Sequence, residues 1–460
     1  MSVLWRWQEL LAATGLEPSG KGIEVTGVSI DTRTLQPGDL FIALSGDPGP
    51  GFTTASSSGR DGHEFLETAI RNQAGAIMVS QEVDYDVPTL KVDNTLRGLW
   101  DIGAYSRQRS IACITAITGS SGKTTARYFL QKMLEGQGST HASIGSYNNH
   151  WGVPLSLARM PADSRYGVFE IGMNHPGEIR PLAELVSPDV ALVLNVLPVH
   201  LGYFDSIDAV RKEKLSIVAG LKPGGHLVVS DDVNCSDIEQ ISSIKRLTFG
   251  KDSGADSYPL SVVRGDVWQV SAKILGEEVS FRLQSGGDHR VQTALATLTL
   301  LKLMGGDIND GAEVLGHLEP PEGRGNEHHI RGVTIIDDSY NANPKSMREA
   351  LQSLASRPGR KIAMIGDMLE LGEAASRFHR ELSDVVNQLD RVYLVGDEMT
   401  KLADPCKDRV GAVYQGADQI DIQSLISELR EGDHILVKGS NRIFWQKGFV
   451  RKLRDALDTV

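Results

Sequence analysis

The run Ile117-Thr118-Gly119-Ser120-Ser121-Gly122-Lys123-Thr124-Thr125 decides how the chain is read. The apolar stretch from Ile111 to Ile117 leads into it. After it, Ala126, Phe129, Leu130, Met133 and Leu134 recur at the spacing of one helical stripe. Strand, Gly-rich turn and helix are the setting of a phosphate-binding loop. Glycines let backbone N–H groups close on phosphate oxygens, and a helix N-terminus adds positive potential. Lys123 is expected to reach the β- and γ-phosphates, and the Thr124 hydroxyl to ligate Mg²⁺. The loop is shorter than the common pattern, which would put a glycine where Ile117 stands. A Gly-rich turn that merely opens a helix is the competing reading.

Outward from the loop, apolar runs alternate with helical patterns. Ala76–Ser80, Val168–Ile171, Ala191–Val196, Gly225–Ser230, Val333–Ile336, Lys361–Ile365, Val392–Val395 and Ile435–Lys438 all read as strands. Several end in Gly, Asp or Asn, as strands do where loops at their carboxyl ends bind ligands. Lys251–Leu283 alternates weakly and reads as a β-rich insertion, and Gly46–Gly62 as a long surface loop. At roughly 150 residues per domain, 460 residues suggest about three domains. The expected fold class is α/β in three domains: a small N-terminal α/β domain (1–108), a central P-loop domain with a parallel sheet (109–316) and a C-terminal Rossmann-like α/β domain (317–460).

Composition narrows the function. Hydrophobic residues make up 40% and charged residues 23%, enough for sizeable cores and too much for a disordered chain. The formal charge is −12 and no basic stripe occurs, so nucleic acid is not an expected partner. No apolar run approaches the ~18 residues of a membrane span. The first residues, with Trp5, Arg6, Trp7, Gln8 and Glu9, are too polar for a signal peptide. Cys113, Cys235 and Cys406 are odd in number and far apart, which fits neither a disulfide framework nor metal spacing. A soluble, cytoplasmic, monomeric chain is expected.

Three further residues stand out. Glu170 closes an apolar run downstream of the loop, where a carboxylate could organise Mg²⁺ or merely meet solvent. His200 follows another run in the same way, and a structural histidine is its competing reading. Asp205 or Ser206 offers an N-cap for a helix to about Gly220, and Val210, Lys214, Ile217, Val218 and Leu221 share one face of it. A lysine inside an apolar stripe is costly unless paired or neutralised. Its head either snorkels to water or reaches a charged site, where the amine could be modified. In the last third, Asp337-Asp338-Ser339-Tyr340-Asn341-Ala342-Asn343-Pro344 lies on a strand-to-helix turn. Capping explains Asn343 and Pro344 but not the rest.

Taken with Ser29-Ile30-Asp31-Thr32-Arg33, Asp61-Gly62-His63-Glu64-Phe65, Asn148-Asn149 and Gly366-Asp367-Met368-Leu369-Glu370-Leu371-Gly372, these strings resemble the Mur ligases nearly end to end. The Asp337 and Gly366 strings resemble most the branch that joins D-alanyl-D-alanine to UDP-N-acetylmuramoyl-tripeptide. The resemblance implies that Lys123 and the loop Gly119, Ser120, Ser121, Gly122, Thr124 and Thr125 bind ATP. It implies one Mg²⁺ on Thr124 and Glu170, a second on His200, and a carbamylated lysine at Lys214. Asp338 would meet the ribose, Arg324 the γ-phosphate and His289 the adenine side, although Thr293 stands where the family usually has Asn. Ser29, Asp31, Thr32 and Arg33 would serve the UDP substrate, and Asn148 and Asn149 the central site. Lys123, Glu170, His200 and Lys214 form the implied catalytic set. The implied chemistry is amide formation through an acyl phosphate. A sibling ligase adding a diamino acid, a hydroxyl kinase and a homologue that binds without turnover are the alternatives.

Overall fold

The computed structural model describes residues 2–18, 23–46, 60–238, 244–265, 267–284 and 287–459. Most of the loop expected over Gly46–Gly62 lies outside them. Each apolar run named above forms a strand. The strands group into three sheets, one for each part of the chain.

The first sheet is small and parallel, in the order Val28–Ser29, Leu40–Ile42, Ala76–Val79, Thr89–Lys91. Trp5 is fully buried beneath it and donates its indole N–H to the Ala158 carbonyl at 2.8 Å. Arg159 Nε donates to the Val28 carbonyl at 2.6 Å. The long helix Thr95–Arg109 packs on both Trp7–Thr14 and Gly152–Ala158. The first sheet is thus fixed to its neighbour by side-chain bonds and a shared helix.

The second sheet has nine strands. At its heart the loop strand Cys113–Thr118 lies between Tyr166–Glu170 and Val190–Val193, all parallel. These strands are almost wholly buried because helices cover both faces. On one face the helix Lys123–Glu135 buries Ala126, Phe129, Leu130, Met133 and Leu134, the stripe read from the sequence, against the helix Asp288–Leu303. The β-rich insertion is an antiparallel meander, Ser257–Val263, Trp268–Ile274 and Glu277–Leu283, that extends this sheet instead of standing apart.

The third sheet has six strands, five of them parallel, with Asn326–Ile330 antiparallel on the edge beside Val333–Asp338. The helix Pro344–Ala355 begins where the sequence places it. The Asn343 side chain accepts from the Ser346 amide at 2.9 Å, and Pro344 takes the first helical position.

One helix differs from expectation. It opens at Ile207, capped by Ser206, but the α form ends at Leu215. Residues Ser216–Gly220 tighten into a 3₁₀ turn. The Ser216 hydroxyl donates to the Glu213 carbonyl at 2.6 Å, a local bond that competes with the helical ladder. Lys214 is therefore at the last turn of the helix. Among the described residues, no helix is long and apolar enough to cross a membrane.

Candidate active site

The carboxyl ends of the central strands face the third sheet across a cavity of about 1400 Å³. Its walls come from all three sheet units, including Ile30, Leu44 and Arg60 of the first. Within it the phosphate loop is stapled to the next strand. The Asn195 side-chain oxygen accepts from the amides of Ser120 at 3.0 Å and Ser121 at 2.9 Å, and its NH₂ donates to the Ser121 carbonyl. Ser120 Oγ bonds both ways with Leu197. Two of the amides expected to face phosphate are thus committed to Asn195. Gly122, at φ +78°, starts the helix, so the amides of Lys123, Thr124 and Thr125 open it with no acceptor among the described residues. Lys123 Nζ donates to the Gly119 carbonyl at 2.8 Å, an internal bond at the mouth of that helix.

Register places Glu170 opposite Ile117, so its side chain stands next to the loop. Glu170 is 1% exposed. One carboxylate oxygen accepts from Thr124 Oγ1 at 2.7 Å and the other from Asn148 Nδ2 at 2.7 Å. No cation lies at ion-pair distance among the described residues. Asn148 is held in turn, because its carbonyl accepts from the Gly172 amide at 2.7 Å and a Cβ at position 172 would sit 2.7 Å from its side chain. Asn149 also lines the cavity, with its side-chain oxygen accepting from the Gly152 amide at 2.9 Å.

Lys214 lies behind this wall, 2% exposed. Burial drives its ammonium well below the usual lysine range, and the Lys123 charge pushes the same way. No carboxylate pairs with it at ion-pair distance among the described residues. The snorkelling alternative is excluded by that burial.

The third unit supplies the opposite wall. Asp338 ends its strand and accepts from Lys438 Nζ at 2.6 Å; the same ammonium donates to the Asn341 carbonyl at 3.1 Å. Lys438 is 2% exposed, a buried cation that holds both residues of the polar turn. Tyr340 bonds Ser146 across the cavity, oxygen to oxygen, at 2.5 Å. The Arg324 guanidinium lies over the Tyr340 ring at 4.1 Å from its centroid, and its charge is felt at Lys123. His200 Nδ1 meets Glu370 Oε2 at 2.6 Å, and this bond holds the Glu370 carboxyl below the usual range.

The structure brings Ser120 to Thr125, Asn148, Asn149, Glu170, His200, His289, Arg324 and Asp338 to one cavity. Gly119 and Lys214 lie behind its wall. Ser29, Asp31, Thr32 and Arg33 do not line it, although Ile30 does. Asp31 and Arg33 close on each other, with the Arg33 side chain 86% exposed. His289 stands at the mouth on the first turn of its helix, and the Thr293 hydroxyl donates back to the His289 carbonyl at 2.9 Å. Sequence reading missed Asn195, Ser146 and Lys438. Of these, Lys438 carried a signal, a cation closing a run of buried strand residues.

Known proteins match in the same order of parts. The family description "Mur ligase middle domain" fits residues 117–301, and "Mur ligase, glutamate ligase domain" fits residues 323–441. The UDP-N-acetylmuramoyl-tripeptide–D-alanyl-D-alanine ligase of Bacillus subtilis is 31% identical, over 94% of each chain. That of Escherichia coli is 32% identical, over 83% of this chain and 84% of its own. Among solved structures, MurF from Acinetobacter baumannii superposes with a TM-score of 0.85, at 28% identity over 98% of this chain and 99% of its own. MurF from Thermotoga maritima, solved with ADP, gives 0.79 at 26% identity, over 95% and 98%.

If Asn195 sets the loop shape, Asn195→Ala should weaken binding of ADP about tenfold, or ~1.4 kcal/mol, by isothermal titration calorimetry. An unchanged affinity would show that the loop holds its shape without the staple.

Proposed function

The chain belongs to the Mur ligase family, and from that premise we propose that its three-walled cavity performs the D-alanyl-D-alanine addition carried in its relatives' names. The enzyme is an ATP-dependent ligase that joins the dipeptide amine to the terminal carboxylate of UDP-N-acetylmuramoyl-tripeptide, a step of peptidoglycan precursor synthesis. The observation that carries this reading is the near full-length match to these ligases. The polar turn Asp337–Pro344 faces the phosphate loop in the same cavity. The sibling ligase, kinase and binding-only readings have no comparable support.

Mg²⁺ suits the residues at hand. Thr124 and the buried Glu170 carboxylate present oxygen donors, the preference of that ion, and among the described residues Glu170 has no cation at ion-pair distance. Among the described residues no group of three or more His, Cys, Asp or Glu could hold a metal. That fits an ion held by one carboxylate together with substrate phosphates. Thr124 and Glu170 would hold one ion and His200 a second. When bound, they neutralise charge on the phosphate oxygens.

In the first step a carboxylate oxygen of the tripeptide attacks the γ-phosphorus, and the bond to ADP breaks. Lys123 and the helix-opening amides hold the phosphates, and Arg324 supports the transferring group from the opposite wall. Asp338, oriented by Lys438, would take the ribose, and His289 with Thr293 the adenine side. In the second step the dipeptide amine attacks the acyl carbon. A tetrahedral intermediate forms, phosphate leaves and the nitrogen loses a proton. Water would hydrolyse the acyl phosphate, so the walls must come together around it. Ile30, Leu44 and Arg60 line the cavity from the first unit (1–108), which supports reading that unit as the holder of the UDP end. Ser29, Asp31, Thr32 and Arg33 would act there from outside the cavity, and Asn148 and Asn149 inside it. The units 109–316 and 317–460 contribute the nucleotide walls.

Lys214 fits a carbamate. A neutral amine bonds to the carbon of CO₂ and releases one proton, which leaves an anion facing the Lys123 charge. That exchange creates an opposite-charge contact and gives a further metal-binding anion. ATP and a UDP-linked substrate, with Cys113, Cys235 and Cys406 as free thiols, support a cytoplasmic setting.

Phosphate release from ATP and UDP-N-acetylmuramoyl-tripeptide should depend on D-alanyl-D-alanine, with a product heavier by the dipeptide less water by mass spectrometry. Release that ignores the dipeptide would sink the assignment. Lys214→Ala should cut turnover about 100-fold, or ~2.7 kcal/mol on the barrier, and regain part of it with added formate or acetate. Absence of rescue with metal binding intact would rule out the carbamate.

A further inference from the structure

The contact between His200 and Glu370 crosses from the central unit to the C-terminal one, and its construction is unusual. Both residues sit in the left-handed region, at φ +54° and +65°. Neither is glycine or asparagine, so each is held there by its surroundings. The Glu370 loop is pinned by two bonds just before that residue. The Met368 amide donates to His379 Nε2 at 3.0 Å and the Leu369 amide to Ser440 Oγ at 2.9 Å. Met368 and Leu371 are buried. The two backbones meet glycine to glycine: a Cβ on Gly372 would lie 3.1 Å from Gly202 Cα, and the Gly202 amide approaches the Glu370 carbonyl at 3.4 Å. A rigid loop of one unit is thus pressed against a loop of the other, with a carboxylate aimed at one ring nitrogen.

We propose that Glu370, carried by the C-terminal unit, is a positioning residue that fixes the His200 ring by accepting its Nδ1–H, leaving Nε2 as the metal-facing lone pair. The inference rests on the reading of His200 as a metal ligand. A metal-bound histidine commonly gives its other N–H to a carboxylate, which sets tautomer and orientation. Here that carboxylate lies 170 positions along the chain and on another unit. The docking that brings Arg324 and Asp338 to the nucleotide therefore also completes the metal ligand. The second metal is held in full only when the two units are together.

Mn²⁺ binding to the full-length enzyme, saturated with a non-hydrolysable ATP analogue and followed by electron paramagnetic resonance, tests this without turnover. Wild type should hold two ions. Glu370→Ala should weaken the second 10- to 100-fold and leave the first within about twofold. Glu370→Gln keeps an acceptor oxygen and should recover much of the loss. Equal second-ion affinity in wild type and Glu370→Ala overturns the inference. If wild type holds one ion, or His200→Ala holds two, the reading of His200 as a ligand fails and takes the inference with it. A second readout needs no variant that might misfold. Nitrogen-15 spectra of histidine-labelled wild type should show His200 as the Nδ1–H tautomer, and the Nε2–H tautomer would overturn the inference.

Discussion

A carboxylate with almost no exposure, and among the described residues no cation at ion-pair distance, is costly to bury, and the central sheet buries one at the strand end beside the phosphate loop. Glu170 is tolerated because both oxygens are satisfied, one by the Thr124 hydroxyl and one by the Asn148 amide. The parallel register of Cys113–Thr118 with Tyr166–Glu170 puts it there, and strands buried on both faces hold that register firmly. Lys123 feels this charge, and the close approach at Gly172 fixes the Asn148 side chain that satisfies it. A site so charged has one natural use, which is to organise cations and phosphates.

The opposite wall follows a second constraint. Chemistry that passes through an acyl phosphate needs positive charge at the transferring group and no water. One unit does not supply both. Arg324, Asp338 and Glu370 come from the C-terminal unit, while Lys123, Glu170 and His200 come from the central one. Tyr340 with Ser146, and Glu370 with His200, tie the two walls together at short distances. Function therefore depends on how the units meet, and single elements of either would be inert.

What is local in this protein was legible in its sequence. The loop, its helix stripe, the strand runs and the Asn343-Pro344 cap depend on neighbours a few residues away. Lys214 stands out as a lysine in an apolar stripe with its head's destination open, and its burial decides against snorkelling, while the helix around it tightens at Ser216. The bonds that finish the site are not local. Ser120 meets Asn195 across 75 positions, Asp338 meets Lys438 across 100, and Ser146 meets Tyr340 across 194. No periodicity encodes such pairs, because they arise only when separate strands end on the same side of a cavity. Asp31 and Arg33, which the resemblance gives to the UDP substrate, pair with each other and do not line this cavity.

Oxygen-18 transfer reaches the core of this account, that the cavity activates the tripeptide by phosphorylating its carboxylate. With the terminal carboxylate of UDP-N-acetylmuramoyl-tripeptide labelled and turnover run in ordinary water, each inorganic phosphate released should carry one oxygen-18 atom. Unlabelled phosphate would mean that ATP is hydrolysed by water and that the carboxylate is never phosphorylated, which contradicts the account at its root.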